Sequence, residues 1–139
     1  MDNNSLPMII ILILLIIMSG FFSATETAFS SLNKIRLKNL ANNGNKRSQI
    51  TLDLVENYDK VLSTILIGNN IVNIISASLS TIIFVNTFGD AGITISTIVM
   101  TILVLIFGEI SPKSLAKEAP ENFAMFSAPI LKILIFLLT

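Results

Sequence analysis

The residues of this chain that can do chemistry are few and sit where lipid should tolerate none. Residues 107–113 read Phe-Gly-Glu-Ile-Ser-Pro-Lys and place Glu109 and Pro112 at the end of a long apolar run. A proline cannot donate a backbone hydrogen bond, and its ring clashes with the carbonyl four residues earlier, so in a helix the oxygen of Gly108 loses its partner. A free carbonyl beside a carboxylate is cation-ligand chemistry. Two more polar groups interrupt apolar stretches. Ser19, Ser23, Glu26 and Ser30 recur at spacings of four and three, which puts them on one helical face. Gly68, Asn69, Asn70 and Asn73 form a second compact patch. Small and hydroxylic residues also hold membrane helices together, at about 0.6 to 2 kcal/mol per hydrogen bond, and Ser19, Gly20 and Ser30 read that way. Glutamate does not, because a charge near the bilayer centre costs at least about 2.5 to 3.5 kcal/mol. Wetting, protonation, pairing with Lys113 or a bound cation would each account for Glu26 and Glu109. Only the cation also uses the asparagines and the free carbonyl.

The elements that must position these groups follow from composition. With 53% hydrophobic and 13% charged residues and a mean hydropathy of +0.80, this is a membrane protein embedded in a lipid bilayer. A bilayer core of about 30 Å needs about 20 helical residues. Three stretches, about 6–32, 61–85 and 92–111, provide them, the third only when Gly108 to Ser111 are included. Residues 1–6 carry Asp2 and no base, so the first stretch is a retained span rather than a cleavable signal. Lys34, Arg36, Lys38, Lys46, Arg47 and Lys60 lie between the first two spans, whereas residues 86–92 carry only Asp90. The positive-inside rule therefore puts the N-terminus outside and the C-terminus in the cytoplasm, with Lys113 as an inner-interface anchor. Amphipathic helices over about 34–41 and 46–57 flank the turn Asn42-Asn43-Gly44-Asn45 and are expected at the interface. A last helix over 120–138 opens with Pro120 and Glu121, but its apolar run from Pro129 is about ten residues, too short to span, so it is expected along the inner face. The class is an all-α membrane protein: one transmembrane domain over 1–139, with three transmembrane helices and short amphipathic juxtamembrane helices. The pattern stops at Thr139 without a polar tail, and a longer chain is expected.

Absent residue types exclude whole chemistries. Without cysteine there are no disulfides or thiolate sites, and without histidine the commonest zinc ligand and general base are gone, so any metal is a hard one. Nine basic residues balance nine acidic ones, which gives no charge imbalance to point to a nucleic-acid partner. Glu26 and Glu109 as an intramembrane acid/base pair would lack a nucleophile with a recognisable base, and an enzyme is not expected. At about 1.5 Å per residue Ser23 lies about 25 Å below Leu6, Asn70 about 14 Å above Val61 and Glu109 about 24 Å below Ile93. All three reach the inner half of the membrane. Hydroxyl, amide, carbonyl and carboxylate oxygens at one level would suit magnesium, calcium or sodium.

Gly20-Phe-Phe-Ser23-Ala-Thr-Glu26-Thr-Ala28, Gly68-Asn69-Asn70-Ile-Val-Asn73 and Gly108-Glu109-Ile-Ser-Pro112-Lys113 occur in this order, with the basic loop between the first two. Together they resemble the membrane domain of the CNNM/CorC magnesium transporter family over essentially the whole chain. The resemblance implies a plasma-membrane homodimer of three-span subunits, with interfacial helices as a cytoplasmic belt, that exports magnesium coupled to sodium entry. It implies a dehydrated cation held by Ser23, Asn70, the Gly108 carbonyl and Glu109. Glu26, Gly68, Asn69 and Asn73 would line the pocket. Independently of the resemblance, Gly20, Gly68, Gly108 and Pro112 are the places where the spans are expected to bend. The family usually continues into cytoplasmic CBS modules, so ATP would act only through domains outside these residues. The competing expectation is a non-transporting membrane anchor or dimerisation module of a cytoplasmic magnesium- or nucleotide-sensing protein.

Overall fold

The apolar run that starts at Leu6 meets no helix breaker after Pro7, and it folds as one helix, α1 (Ser5–Ser31). The structure is a computed structural model that describes residues 5–138. Asn33 then starts α2 (Lys34–Asn42), because its Oδ1 accepts from the backbone N–H of Ile35 at 2.9 Å and of Arg36 at 3.2 Å. These are donors that a first helical turn otherwise leaves open. Asn45 does the same for α3 (Lys46–Glu56) by accepting from the Ser48 N–H at 3.1 Å. The chain turns between them through Gly44, whose φ of 90° suits a residue without a side chain.

Helix α4 (Tyr58–Phe88) ends at Gly89, at φ 69°, and after one 3₁₀ turn (Gly89–Ala91) α5 (Gly92–Leu103) runs back along it. Two contacts set the register of this hairpin. The hydroxyls of Ser80 and Ser96 hydrogen-bond at 2.6 Å in a buried position. At Gly92 a Cβ would collide with the Phe84 carbonyl, so only glycine allows the approach. A π-helical turn (Val104–Ile110) follows, then α6 (Ser111–Glu118) with Pro112 in its first turn, and α7 (Pro120–Leu138). All regular elements among the described residues are helical.

Three helical stretches are long and apolar enough to cross a membrane: Leu6–Ser31, Tyr58–Glu118, which contains the hairpin, and Pro120–Leu138. The last differs from the sequence expectation. The helix over 120–138 forms as expected, but its apolar stretch is longer than the run from Pro129, because its 19 residues taken together are long and apolar enough to span. Its path is oblique to α1: Glu121 reaches Asn33, Phe123 meets Phe21, and Ile130 and Leu134 border Ile17 and Phe22.

The densest packing lies at the end where α1, α2, α4, α6 and α7 converge, with Ala28, Leu37, Val61, Ala116, Ala124 and Leu131 all fully buried. Alanines at that many positions let helix backbones approach closely. By contrast Ile10, Leu14, Ile17, Ile74 and Ile98 face outward, as helices bathed in hydrocarbon require. One core position is imperfect. Thr64 is 1% exposed and its hydroxyl has no hydrogen-bond partner. Thr64→Val keeps the shape and removes the unpaired group, so thermal unfolding in detergent should show a gain of about 1 kcal/mol. A loss of stability would mean that the hydroxyl is engaged.

Candidate ion site

Helices α1 and α4 lie antiparallel, as three contacts show. The Ser30 and Tyr58 hydroxyls are 3.0 Å apart, the Phe22 ring fills the space where Gly68 has no side chain, and Ser19 meets Asn69 and Asn73. A Cβ on Gly68 would lie 2.7 Å from the tip of the Phe22 ring, so this glycine shapes the contact between the helices. The Ser19 Oγ is 3.1 Å from Asn69 Oδ1 and 3.3 Å from Asn73 Oδ1, on a residue that is 2% exposed. Asn69 and Asn73 are four apart on α4 and therefore present their amides to the same side. A hydroxyl carries one proton and can donate to only one of the two amide oxygens at a time. Three oxygens converge there with a single hydroxyl proton among them.

The π turn brings backbone oxygens to the same level. Its register shows at its end, where the Ser111 N–H donates to the Ile106 carbonyl, five residues back. That bond withdraws from Phe107 the donor of an α-helix. The next N–H, which a π-helix would use, belongs to Pro112 and does not exist. The Phe107 carbonyl is thus left without either donor, and Gly108 loses its α-helical donor to the same proline. The Phe107 oxygen lies against α1 where Gly20 admits it: a Cβ on Gly20 would be 3.0 Å from that oxygen and 3.1 Å from Pro112 Cγ. Gly108 packs on Ser19 in the same way, since its Cβ would fall 3.2 Å from Ser19 Oγ. Helix α1 continues unbroken through Gly20, which in this conformation serves close approach.

The structure therefore brings Asn69, Asn73, Gly108 and Gly20 of the sequence candidates around Ser19 and the π turn. Ser19 reads from sequence as a packing contact, and the Phe107 carbonyl is not a candidate there. Pro112 signals one freed carbonyl in the sequence, but the second depends on the π register. Ser23 is buried one turn further along the same side of α1, and Glu26 and Glu109 are half-buried. Asn70 is exposed and lies off the side of α4 that meets Ser19. Among the described residues the single ion pair joins Arg36 to Glu121, so Lys113 does not pair with Glu109. Nor do three or more acidic residues gather anywhere among them. The converging atoms are neutral oxygens, and the half-buried Glu109 follows Gly108 in the chain.

Residues 9–139 match the Cyclin M transmembrane N-terminal domain (CNNM) family. The chain is 42% identical to a UPF0053 protein of Haemophilus influenzae, over 95% of its own length and 32% of that protein. It is 41% identical to UPF0053 inner membrane protein YfjD of Escherichia coli, over 81% of its length and 26% of that protein. A chloroplastic DUF21 domain-containing protein of Arabidopsis thaliana is 36% identical over 83% of the chain and 18% of its own length. The chain thus spans about a third or less of these relatives. With its apolar helices and this match over nearly its whole length, the chain belongs to the CNNM family of multi-pass membrane proteins.

Proposed function

We propose that this domain transports magnesium and binds it largely dehydrated between α1, α4 and the π turn. The observation that carries the reading is the convergence of Ser19 Oγ, Asn69 Oδ1 and Asn73 Oδ1 beside a π turn that strips the Phe107 carbonyl of its donors. Oxygen ligands without nitrogen or sulfur suit hard cations. Glu109 would supply charge, and Ser23, Glu26 and the Gly108 carbonyl would line the route toward the cytoplasm, with the N-terminus outside and the C-terminus inside. A homodimer would account for Asn70, whose amide is otherwise turned toward hydrocarbon.

Alternating access would move α1 against the α4–α5 hairpin. The hairpin is locked by Ser80, Ser96 and Gly92, whereas at the site α1 and α4 share one hydroxyl proton. Loading magnesium from the cytoplasm and replacing it with sodium outside would make the cycle an exchange. A membrane anchor is the second reading, favoured by the same Ser19 hydrogen bonds, which by themselves hold two helices together.

Liposomes containing the purified chain and a trapped magnesium indicator separate the two. Wild type should conduct, and Glu109→Gln, matched for folding, should lose at least about tenfold in flux. Equal flux would remove Glu109 from the mechanism, and no flux from either protein would favour the anchor. A rate indifferent to an imposed sodium gradient would refute the coupling.

A further inference from the structure

The surface of α2 is not used by the ion site. This helix buries Leu37 and Ala41 on one side and turns Ile35 outward, 73% exposed. At about 100° per residue, Ile35 points about 160° away from Leu37, so the core does not account for it. Lys34 and Lys38 are exposed, lie one turn apart beside Ile35, and α2 contains no acidic residue. Only Leu32 and Asn33 separate α2 from the end of α1, which keeps it within about 10 Å of a membrane-crossing helix. Arg36 is engaged elsewhere: its Nη1 is 3.7 Å from Glu121 Oε1, and that same oxygen accepts from the Asn33 N–H at 3.3 Å. These contacts pin the start of α2 to α7. What stays free is an isoleucine flanked by two lysines, a few residues past the end of a helix long and apolar enough to cross a membrane.

We propose that α2 docks onto anionic phospholipid, with Ile35 in the acyl boundary and Lys34 and Lys38 on the phosphates. Lysine stems can lie along the apolar layer while their ammonium groups reach the headgroups. Each lysine near an anionic surface favours the docked state about fivefold. This requires only that α1 crosses the membrane, and it stands apart from the ion site.

The chain has no tryptophan, so Ile35→Trp creates a sole indole reporter. The full chain carrying it is reconstituted in phosphatidylcholine vesicles with and without phosphatidylglycerol, each with brominated acyl chains. Docking predicts blue-shifted emission and bromine quenching with phosphatidylglycerol, both weak without it and reversed by about 1 M salt, where screening acts within about 3 Å. Adding Lys34→Gln and Lys38→Gln should shift the balance toward the undocked state by about 30-fold. Matching thermal unfolding of the variants separates lost docking from lost fold. Blue emission without bromine quenching in both vesicle types would mean that a second copy or another protein segment covers Ile35, and it would overturn the proposal. Red emission in both, quenched by aqueous iodide, would overturn it as well.

Discussion

Asn73→Leu is expected to reduce magnesium flux at least about 100-fold while leaving the protein folded. The amide of Asn73 contributes one of the two oxygens that face Ser19 Oγ at 3.1 and 3.3 Å. Leucine has nearly the same side-chain length, so packing between α1 and α4 survives, and Ser19 keeps Asn69 as its acceptor. The hydrogen bond lost is worth about 0.6 to 2 kcal/mol in a membrane helix pair, partly offset by the apolar replacement. Stability and flux should therefore separate. Asn70→Leu is the internal comparison, because it makes the same chemical change three residues away on an exposed side of α4. It should spare ion affinity and alter association between copies. Liposome flux and detergent unfolding, measured on both variants, decide the matter. A variant at Asn73 that loses stability but conducts normally would show that the asparagines are packing contacts.

The largest effect on stability is expected at Gly92. A Cβ there would run into the Phe84 carbonyl and lie 2.6 Å from the Val85 nitrogen, both backbone atoms of the facing helix. Overpacking typically costs about 1 to 3 kcal/mol when side chains can yield, and backbone cannot, so Gly92→Ala should cost about 3 kcal/mol or more. Gly68→Ala also collides, at 2.7 Å, but with the tip of the Phe22 ring, which can swing aside. Its cost should be nearer about 1 kcal/mol. Unfolding of the two variants in the same detergent tests the order. A Gly92→Ala protein as stable as Gly68→Ala would mean that α4 and α5 are not packed this closely.

What can be read from the sequence is what depends on neighbouring residues. The long spans follow from hydropathy, and the helices either side of Asn42-Asn43-Gly44-Asn45 follow from a turn whose glycine takes a positive φ. The face of α1 that bears Ser19 and Ser23 follows from spacing alone. The choice among asparagines does not. Asn70 and Asn73 are as nearly one turn apart as Asn69 and Asn73, and only the placement of α1 selects the second pair. The π register is equally hidden, because it depends on how Gly20 accommodates Phe107 and Pro112 from another helix. The bounds of α7 are legible but its apolar length is not, because Phe123, Ala124, Met125 and Phe126 ahead of Pro129 extend the apolar stretch although polar residues stand among them.

The most direct measurement is a structure determined in saturating magnesium. An ion is expected between α1, α4 and the π turn, bound by Ser19 Oγ, Asn69 Oδ1, Asn73 Oδ1 and a π-turn carbonyl at about 2.0 to 2.1 Å, with Glu109 bound directly or through water. Ser19 Oγ still 3.1 to 3.3 Å from Asn69 Oδ1 and Asn73 Oδ1 with no ion between them, at full occupancy of magnesium elsewhere in the molecule, would contradict it.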